Sequence, residues 1–516
     1  METDDPIDRW LASGAPFGGE VPKRIDTHCA RVFLAGDRAW KRKKPVRTNY
    51  LDFTTPERRR AALAAELAIN RRTAPDLYLA VHAVVPAGDG FALDGPGEAV
   101  DWLLEMRRFP DDAVLLDRVA HDPPDARFWR DLADRIAAFH AGLAPAGVDG
   151  AAALAEVVAS NTESLLAEAD LLGDVAPLAR ELQAAQARLA ATLAKRSAAV
   201  VHGHGDLHLG NIALVDGQPV LFDALEFSEA LATVDRAYDL AFLVADCWSR
   251  GLRHEANLVM NRWIDRTGDE EALAPMPLFL ALRLAIRAHV TATRARQAED
   301  RAMGEEARRL LALSAAMLAP VPPRLVAIGG LSGTGKSSVA QALAPGLGRP
   351  PGARLLRSDV LRKRLAGVPP EERLPPGAYG PGTSGPVYAE LFRLGAAALA
   401  AGQAAILDAV FAQAGERRRA ARLAGDAGAR FDGLWLEAPL AVRTARVGAR
   451  AADASDADAK VAAAQEGAAI GPLAPFVAID ASRPLGEVVA AAEALLAAPD
   501  PPVRRLPPGS GGPVPG

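Results

Sequence analysis

The sequence is poor in cysteine, with only Cys29 and Cys247 in 516 residues. They have no C-x-x-C spacing, which excludes a cysteine-built zinc knuckle and a disulfide framework. Two scattered thiols suit a reducing compartment. No apolar run is long enough to span a bilayer without charges. The opening METDDPIDRW is acidic and has no apolar h-region, so it does not read as a signal peptide. A cytoplasmic protein is expected. A basic excess is also missing. With 59 Lys and Arg against 64 Asp and Glu, the net charge is −5. That argues against broad electrostatic binding to long nucleic acid or acidic lipid, although short basic runs can still grip phosphates. No short internal repeat is visible.

What is present is ordinary for a globular protein: 50% hydrophobic and 24% charged residues. The length exceeds one hydrophobic core and calls for two or three domains. Residues 1–24 read as a loop-rich segment. RVFLAGDRAWKRKKP then reads as a hairpin turning at Gly36-Asp37. Thr55 and Pro56 suit the N-cap and first position of a following helix. LYLAVHAVV and VDWLLEMRRF read as strands, so the first 110 residues form a small strand-rich lobe carrying one helix. Helical patterns run from Arg127 to about Lys195 and from 235 to 318, interrupted by short apolar runs and turns. APVPP at 319–323 reads as a linker. From 324 to 497 strand and helix signals alternate, the mark of a parallel sheet. The Pro/Gly-rich tail, 498–516, is expected to be disordered.

The second half carries Gly330-Leu-Ser-Gly-Thr-Gly335-Lys336-Ser337, a full match to G-x-x-x-x-G-K-S/T. Gly330, Gly333 and Gly335 let backbone N–H groups turn inward around phosphates. Thr334 and Ser338 complete the set. Lys336 can reach the β- and γ-phosphates, and the Ser337 hydroxyl can ligate Mg²⁺. The competing reading is a glycine-rich turn with an exposed lysine, which the strand before and the helix after disfavour. Asp408 ends the strand AAILDAVF, where a carboxylate would hold the Mg²⁺ shell or simply cap a turn. Asp359 either deprotonates an acceptor hydroxyl or N-caps a basic helix. Arg362 then either binds the acceptor or faces solvent. Arg443, Arg446 and Arg450 lie at helical spacing, as a phosphoryl-neutralising lid or as an exposed arginine face.

IGGLSGTGKSSVAQALA, LLRSDVLRKRLAG, ILDAVF and the later Arg-rich helix together resemble the small P-loop kinases near gluconate kinase, 5′-hydroxyl polynucleotide kinases and zeta toxins. The resemblance implies that Lys336 is the P-loop lysine, Asp359 the acceptor carboxylate and Arg362 its companion. It gives a reaction class rather than an acceptor.

The first half carries His204-Gly205-Asp206-Leu-His208-Leu-Gly-Asn211, followed by Asp223 in VLFDALEF. An Asp that accepts a hydroxyl proton, an Asn five residues on and a second Asp after the next strand are what a phosphotransferase catalytic loop needs. His204 would anchor that loop. A zinc cluster of His202, His204 and His208 and a plain polar hairpin are the alternatives. The cluster lacks a fourth ligand, and the hairpin leaves the ordered Asp, Asn and Asp unexplained.

This run resembles the aminoglycoside phosphotransferase and choline kinase-like superfamily, and YDLAFLVAD resembles its D-L-A helix start at Asp239. The resemblance implies that Asp206 is the base and that Asn211 and Asp223 hold Mg²⁺. It also implies that Lys41 or Lys43 meets the ATP phosphates, Glu66 pairs with that lysine, and Leu104-Glu105-Met106 is the hinge against adenine. No G-x-G-x-x-G loop precedes Lys41, and Glu226 is additional, as a tuner of the metal site or an acceptor ligand.

The expected fold is therefore multidomain, α+β then α/β. A protein-kinase-like bilobal domain at 25–318 is followed by a P-loop parallel-sheet domain at 324–497. The order resembles the bifunctional aminoglycoside phosphotransferase and ATP-binding protein family. The expected function is Mg²⁺- and ATP-dependent phosphorylation of small-molecule hydroxyls by each half. The rivals are one active half beside an ATP-binding regulatory module, a non-transferring P-loop ATPase, and a toxin-like kinase.

Overall fold

The computed structural model describes residues 5–27, 29–47, 52–226, 229–379, 382–448, 455–456, 459–467 and 470–498. The chain divides into two compact units, Met1–Pro320 and Val321–Gly516.

The first unit opens with helix α1 (Pro6–Ala12), capped by the Asp5 side chain. This corrects the loop-rich reading of residues 1–24. The helix is too short to show a periodicity, and long-range ion pairs hold it. Asp8 accepts from Arg42 at 2.6 Å and from Arg31, and Arg42 also meets buried Asp101 at 2.6 Å.

A six-stranded sheet follows, in the order β1-β2-β3-β6-β4-β5. Its strands are β1 (Lys23–Asp26), β2 (Ala30–Ala35), β3 (Arg38–Lys43), β4 (Tyr78–Ala87), β5 (Gly90–Leu93) and β6 (Asp101–Arg107). The β2–β3 hairpin turns at Gly36, whose φ of 53° suits a residue without Cβ. Helix α2 (Pro56–Asn70) begins as expected, with Thr55 Oγ1 accepting from the Arg58 N–H at 3.4 Å. Its Leu63 packs with Tyr78 and Leu104 under the sheet.

The larger lobe is helical. It contains α3 (Leu115–His121), α4 (Ala126–Ala141), α5 (Gly150–Ala167), α6 (Ala169–Leu172) and α7 (Ala176–Lys195). After them come α8 (Glu229–Ala232), α9 (Arg236–Ser249), α10 (Arg253–Thr267), α11 (Met276–Ala298) and α12 (Arg301–Leu318). Between α7 and α9 lie two small ladders. β7 (Val200–His202) pairs with β10 (Thr233–Asp235), and β8 (Ile212–Val215) pairs with β9 (Gln218–Leu221). They present the loop between β7 and β8 on a base of buried α9 side chains.

The second unit is a parallel five-stranded sheet, β12-β13-β11-β14-β15. The strands are β11 (Arg324–Gly330), β12 (Arg354–Arg357), β13 (Ala405–Asp408), β14 (Arg430–Glu437) and β15 (Phe476–Asp480). The two central strands β11 and β13 are almost wholly buried and nearly continuously apolar, as strands covered on both faces are. Helices α13 (Lys336–Leu343), α14 (Ser358–Leu365), α15 (Ser384–Ala400), α16 (Ala414–Asp426), α17 (Leu440–Gly448), α18 (Ala459–Ala464) and α19 (Leu485–Ala497) complete the unit. Among the described residues, no helix is long and apolar enough to cross a membrane.

Candidate active sites

In the first unit, β3 and α2 bring Lys41 and Glu66 together. Lys41 Nζ lies 2.6 Å from Glu66 Oε1 and 3.0 Å from Asp223 Oδ1. Lys43, two residues along the same strand, lies 2.7 Å from Glu66 Oε2 and 2.6 Å from Glu226 Oε1. Glu66 therefore bridges two ammonium groups. Burial opposes the charge on Lys41, yet Asp223, Glu66 and Glu226 together hold its pKa well above the usual lysine value.

The catalytic-loop candidate is held from below. Asp239, in the first turn of α9, accepts from the His204 N–H at 2.8 Å and the Gly205 N–H at 2.9 Å. It also meets His140 Nε2 at 3.1 Å, and His140 accepts from Trp263 Nε1. Burial would raise the Asp239 pKa, but the His140 bond and the nearby charges hold it far below the usual carboxylate range. His204 is fully buried, and burial depresses its pKa. Its Nε2 lies 3.1 Å from the Phe222 carbonyl, so it anchors the loop as expected. Among the described residues no group of three or more His, Cys, Asp and Glu is arranged to hold a metal.

Asp206, Asn211 and Asp223 converge. Asn211 Nδ2 donates to Asp206 Oδ2 and to the Asp206 carbonyl, both at 2.9 Å. Asp223 has a φ of 57°, rare for a residue with a side chain. Two groups hold that backbone. The Asp223 N–H donates to Tyr78 Oη at 3.0 Å, and the Ala224 N–H donates to Asn70 Oδ1 at 2.8 Å. Burial pushes the Asp206 pKa up, but the bond and charge of His208, with His204 and Arg283, bring it net below its ordinary value. Asp223 is likewise lowered against burial, by Lys41 and Lys43.

These residues line one cavity of about 670 Å³, with Lys41, Lys43, Asp206, Asn211, Asp223 and Glu226 at its polar end. Val32, Leu34, Ala39, Leu77, Met106 and Phe222 make apolar walls. Leu104 and Glu105, expected at the hinge, lie inside the sheet. They pair with β3 on one side and β4 on the other, and Glu105 turns to Arg38 and His82. The chain that borders the cavity there is Met106 to Phe109.

In the second unit the P-loop joins β11 to α13. Gly330, Gly333 and Gly335 have φ of 143°, 86° and 91°. A Cβ on Gly333 would lie 2.5 Å from the Arg443 carbonyl oxygen. Lys336 Nζ lies 3.1 Å from the Leu331 carbonyl. Ser337 Oγ donates to Asp408 Oδ2 at 2.6 Å, so the strand-end carboxylate and the P-loop hydroxyl meet. Burial raises the Asp408 pKa, Lys336 and Arg357 oppose it, and the net shift is upward.

Gly333, Thr334, Gly335 and Ser338 border a pocket of about 330 Å³ whose far wall is Arg446, Ala481, Leu485 and Val488. Arg446 is fixed there by bonds to the Ala481 carbonyl at 2.7 Å and the Arg483 carbonyl at 3.0 Å. The loop at 481–485 carries no motif that the sequence could reveal.

Other expectations fare differently. Arg443 is neither lid nor exposed face. It is buried behind the P-loop, bonded to the carbonyls of Ala438 and Ala462 and paired with Glu466. Asp359 lies in the first turn of α14, whose N-cap position is Arg357, so Asp359 is not the cap. The Arg362 guanidinium meets the Ala378 carbonyl at 3.0 Å and Thr383 Oγ1 at 3.3 Å, so main chain and hydroxyl hold it rather than solvent. Arg450 lies outside the described residues.

A family model described as an AAA domain matches residues 325–470. The chain is 32% identical over 456 residues to the uncharacterized protein Rv2004c of Mycobacterium tuberculosis (strain ATCC 25618 / H37Rv), covering 85% of this chain and 88% of that protein. The same figures hold for the uncharacterized protein Mb2027c of Mycobacterium bovis (strain ATCC BAA-935 / AF2122/97). That match is longer than either unit, so it includes both. Among solved structures, a choline/ethanolamine kinase family protein from Mesorhizobium loti is 13% identical, with a TM-score of 0.38, covering 60% of this chain and 94% of its own. A gluconokinase from Sinorhizobium meliloti 1021 is 22% identical, with a TM-score of 0.26, covering 35% and 94%. The chain belongs to the family of these mycobacterial proteins, and its second unit carries the AAA domain of the matching model.

Proposed function

We propose that the chain is a bifunctional kinase, each unit moving the γ-phosphoryl group of ATP to a hydroxyl of a small molecule. One observation carries this reading. Each unit brings its own lysine, oxygen donors and carboxylate together: Lys41, Asn211 and Asp223 line the first unit's cavity, and in the second Ser337 meets Asp408 next to Lys336, on the P-loop that borders the Arg446 pocket.

The donors suit Mg²⁺, a hard cation that takes carboxylate, amide and hydroxyl oxygens. Asn211 and Asp223 would hold it in the first unit, and Ser337 and Asp408 in the second. When bound, it neutralises charge on the transferring phosphoryl oxygens.

The rest is done by the chain. Lys41 exchanges Asp223 for the ATP phosphates while keeping Glu66. Asp206, ionised at neutral pH, accepts the acceptor's hydroxyl proton as that oxygen bonds to the γ-phosphorus. The bond from the γ-phosphorus to the β–γ bridging oxygen breaks, and ADP leaves. In the second unit the P-loop amides and Lys336 hold the phosphates, and the base stacks in the Arg446 pocket. Asp359 stands ready for the acceptor proton. Two free cysteines suit a cytoplasmic setting.

Calorimetric titration with a non-hydrolysable ATP analogue and Mg²⁺ tests the count of sites. Wild type should bind two nucleotides per chain, and Lys41→Met and Lys336→Ala one each. A single event in the wild type, or loss of both events in either variant, rejects the two-centre reading.

A further inference from the structure

The first unit has one lysine and one carboxylate more than a phosphate-gripping pair requires. Lys43 is fully buried, with its ammonium turned to Glu66 at 2.7 Å and Glu226 at 2.6 Å. The Phe53 ring centroid lies 5.4 Å from that ammonium. Lys41 keeps 13% of its side chain exposed to the cavity, whereas Lys43 keeps none. A nucleotide phosphate can therefore draw Lys41 off Asp223, but drawing Lys43 away would leave the buried Glu66 and Glu226 carboxylates short of a partner.

Glu226 lies three residues after Asp223, on the same loop. That loop is pinned to the sheet and α2 at four places: Lys41 to Asp223, Tyr78 to the Asp223 N–H, Asn70 to the Ala224 N–H, and Lys43 to Glu226. Of the two lysines in this set, only Lys41 has side-chain surface exposed to the cavity. The second oxygen of Glu66 lies 2.7 Å from Lys43 Nζ, which ties Glu66 and α2 to β3 independently of Lys41.

We propose that Lys43 and Glu226 form a standing latch. It locks Glu66 on α2 and the Asp223 loop in the nucleotide-binding arrangement before any nucleotide arrives. The Lys41–Glu66 pair of this domain is then permanently assembled rather than switched. Lys43 and Glu226 are positioning residues, since neither touches the reacting atoms. The inference rests on the reading of this unit as an ATP site.

The test uses the full chain in a Lys336→Ala background, which silences the P-loop site. Three variants are compared with that parent: Lys43→Met, Glu226→Ala, and the two combined. Thermal unfolding and calorimetric affinity for Mg²⁺ with a non-hydrolysable ATP analogue are both read.

Each single variant leaves a buried charge short of a partner, so it should lose both stability and affinity. The double variant has no orphaned charge and should recover most of the melting temperature. Its nucleotide affinity should stay down by about tenfold or more, because the loop and α2 are no longer joined. Amide exchange along α2 should be faster in the double variant than in the parent. Glu226→Gln, which keeps an oxygen for Lys43 and folds more readily, should stay within about threefold of the parent.

Recovery of both stability and affinity in the double variant overturns the latch, for then the pair only neutralises a buried charge. Unchanged affinity in the single variants overturns it too. A parent that binds no nucleotide at all refutes the ATP-site reading itself, and the latch with it.

Discussion

The carboxylate of Asp239 lies 2.8 Å from the backbone nitrogen of His204, so helix α9 carries the loop that presents Asp206. Asp239→Asn keeps the shape but removes the charge that faces His140. Weakening the hydrogen bonds that this buried carboxylate accepts from two backbone N–H groups and a neutral imidazole costs about 1.5–3 kcal/mol. Urea unfolding of the variant should show a loss of that order, together with loss of activity that depends on Asp206. Gly203→Ala should fail at the same point, since its Cβ would lie 2.7 Å from Asp239 Oδ2.

The two centres should differ in acid tolerance. Asp206 and Asp223 are held below the usual carboxylate range, and Asp408 is held above it. As pH falls, Asp408 is protonated first. The kcat/KM of the second unit should therefore fall at a higher pH than that of the first, read by product-specific assays in the folded range. Coincident acid limbs would contradict this assignment.

Arg446 should matter to the nucleotide more than to the acceptor. It stands over the pocket beside Gly335 and is fixed by two carbonyls. An arginine over an aromatic face contributes about 0.5–2 kcal/mol. Arg446→Ala should raise the ATP KM of the second unit by roughly 2- to 30-fold, leaving the acceptor KM nearly unchanged.

Stability should also carry a histidine signature. Burial lowers the His289 pKa to about 4, below its ordinary 6.5. The unfolded chain therefore takes up a proton between those values while the folded chain does not. Its contribution is complete above about pH 6.5 and is lost as pH falls toward 4. His289→Gln should flatten that part of the melting-temperature curve, measured against wild type in matched buffers.

Much of this was legible in the sequence because it is local. The P-loop, the loop from His204 to Asn211, and the β2–β3 hairpin with Lys41 each declare themselves within a dozen residues. What stayed hidden depends on distant partners. Tyr78 holds the Asp223 N–H from 145 residues away, and Asn70 holds the Ala224 N–H from 154. Arg443 stands at the same helical spacing as Arg446, yet only the fold turns one behind the P-loop and the other into the pocket. Helix α1 depends on Asp8 finding Arg42, 34 residues on. The strand pattern of VDWLLEMRRF does not show where the cavity border begins: Leu104 and Glu105 lie inside the sheet, and Met106 to Phe109 border the cavity.

The central claim is that each unit is a kinase in its own right. The most direct measurement incubates wild type, Asp206→Asn and Lys336→Ala with ATP, Mg²⁺ and a pooled set of hydroxylated metabolites, following phosphate-sized mass gains by mass spectrometry. The account predicts that each variant loses a different phosphorylated product and keeps the other. If Lys336→Ala abolishes every product while Asp206→Asn changes none, the first unit is not a catalyst, and the two-kinase account is wrong.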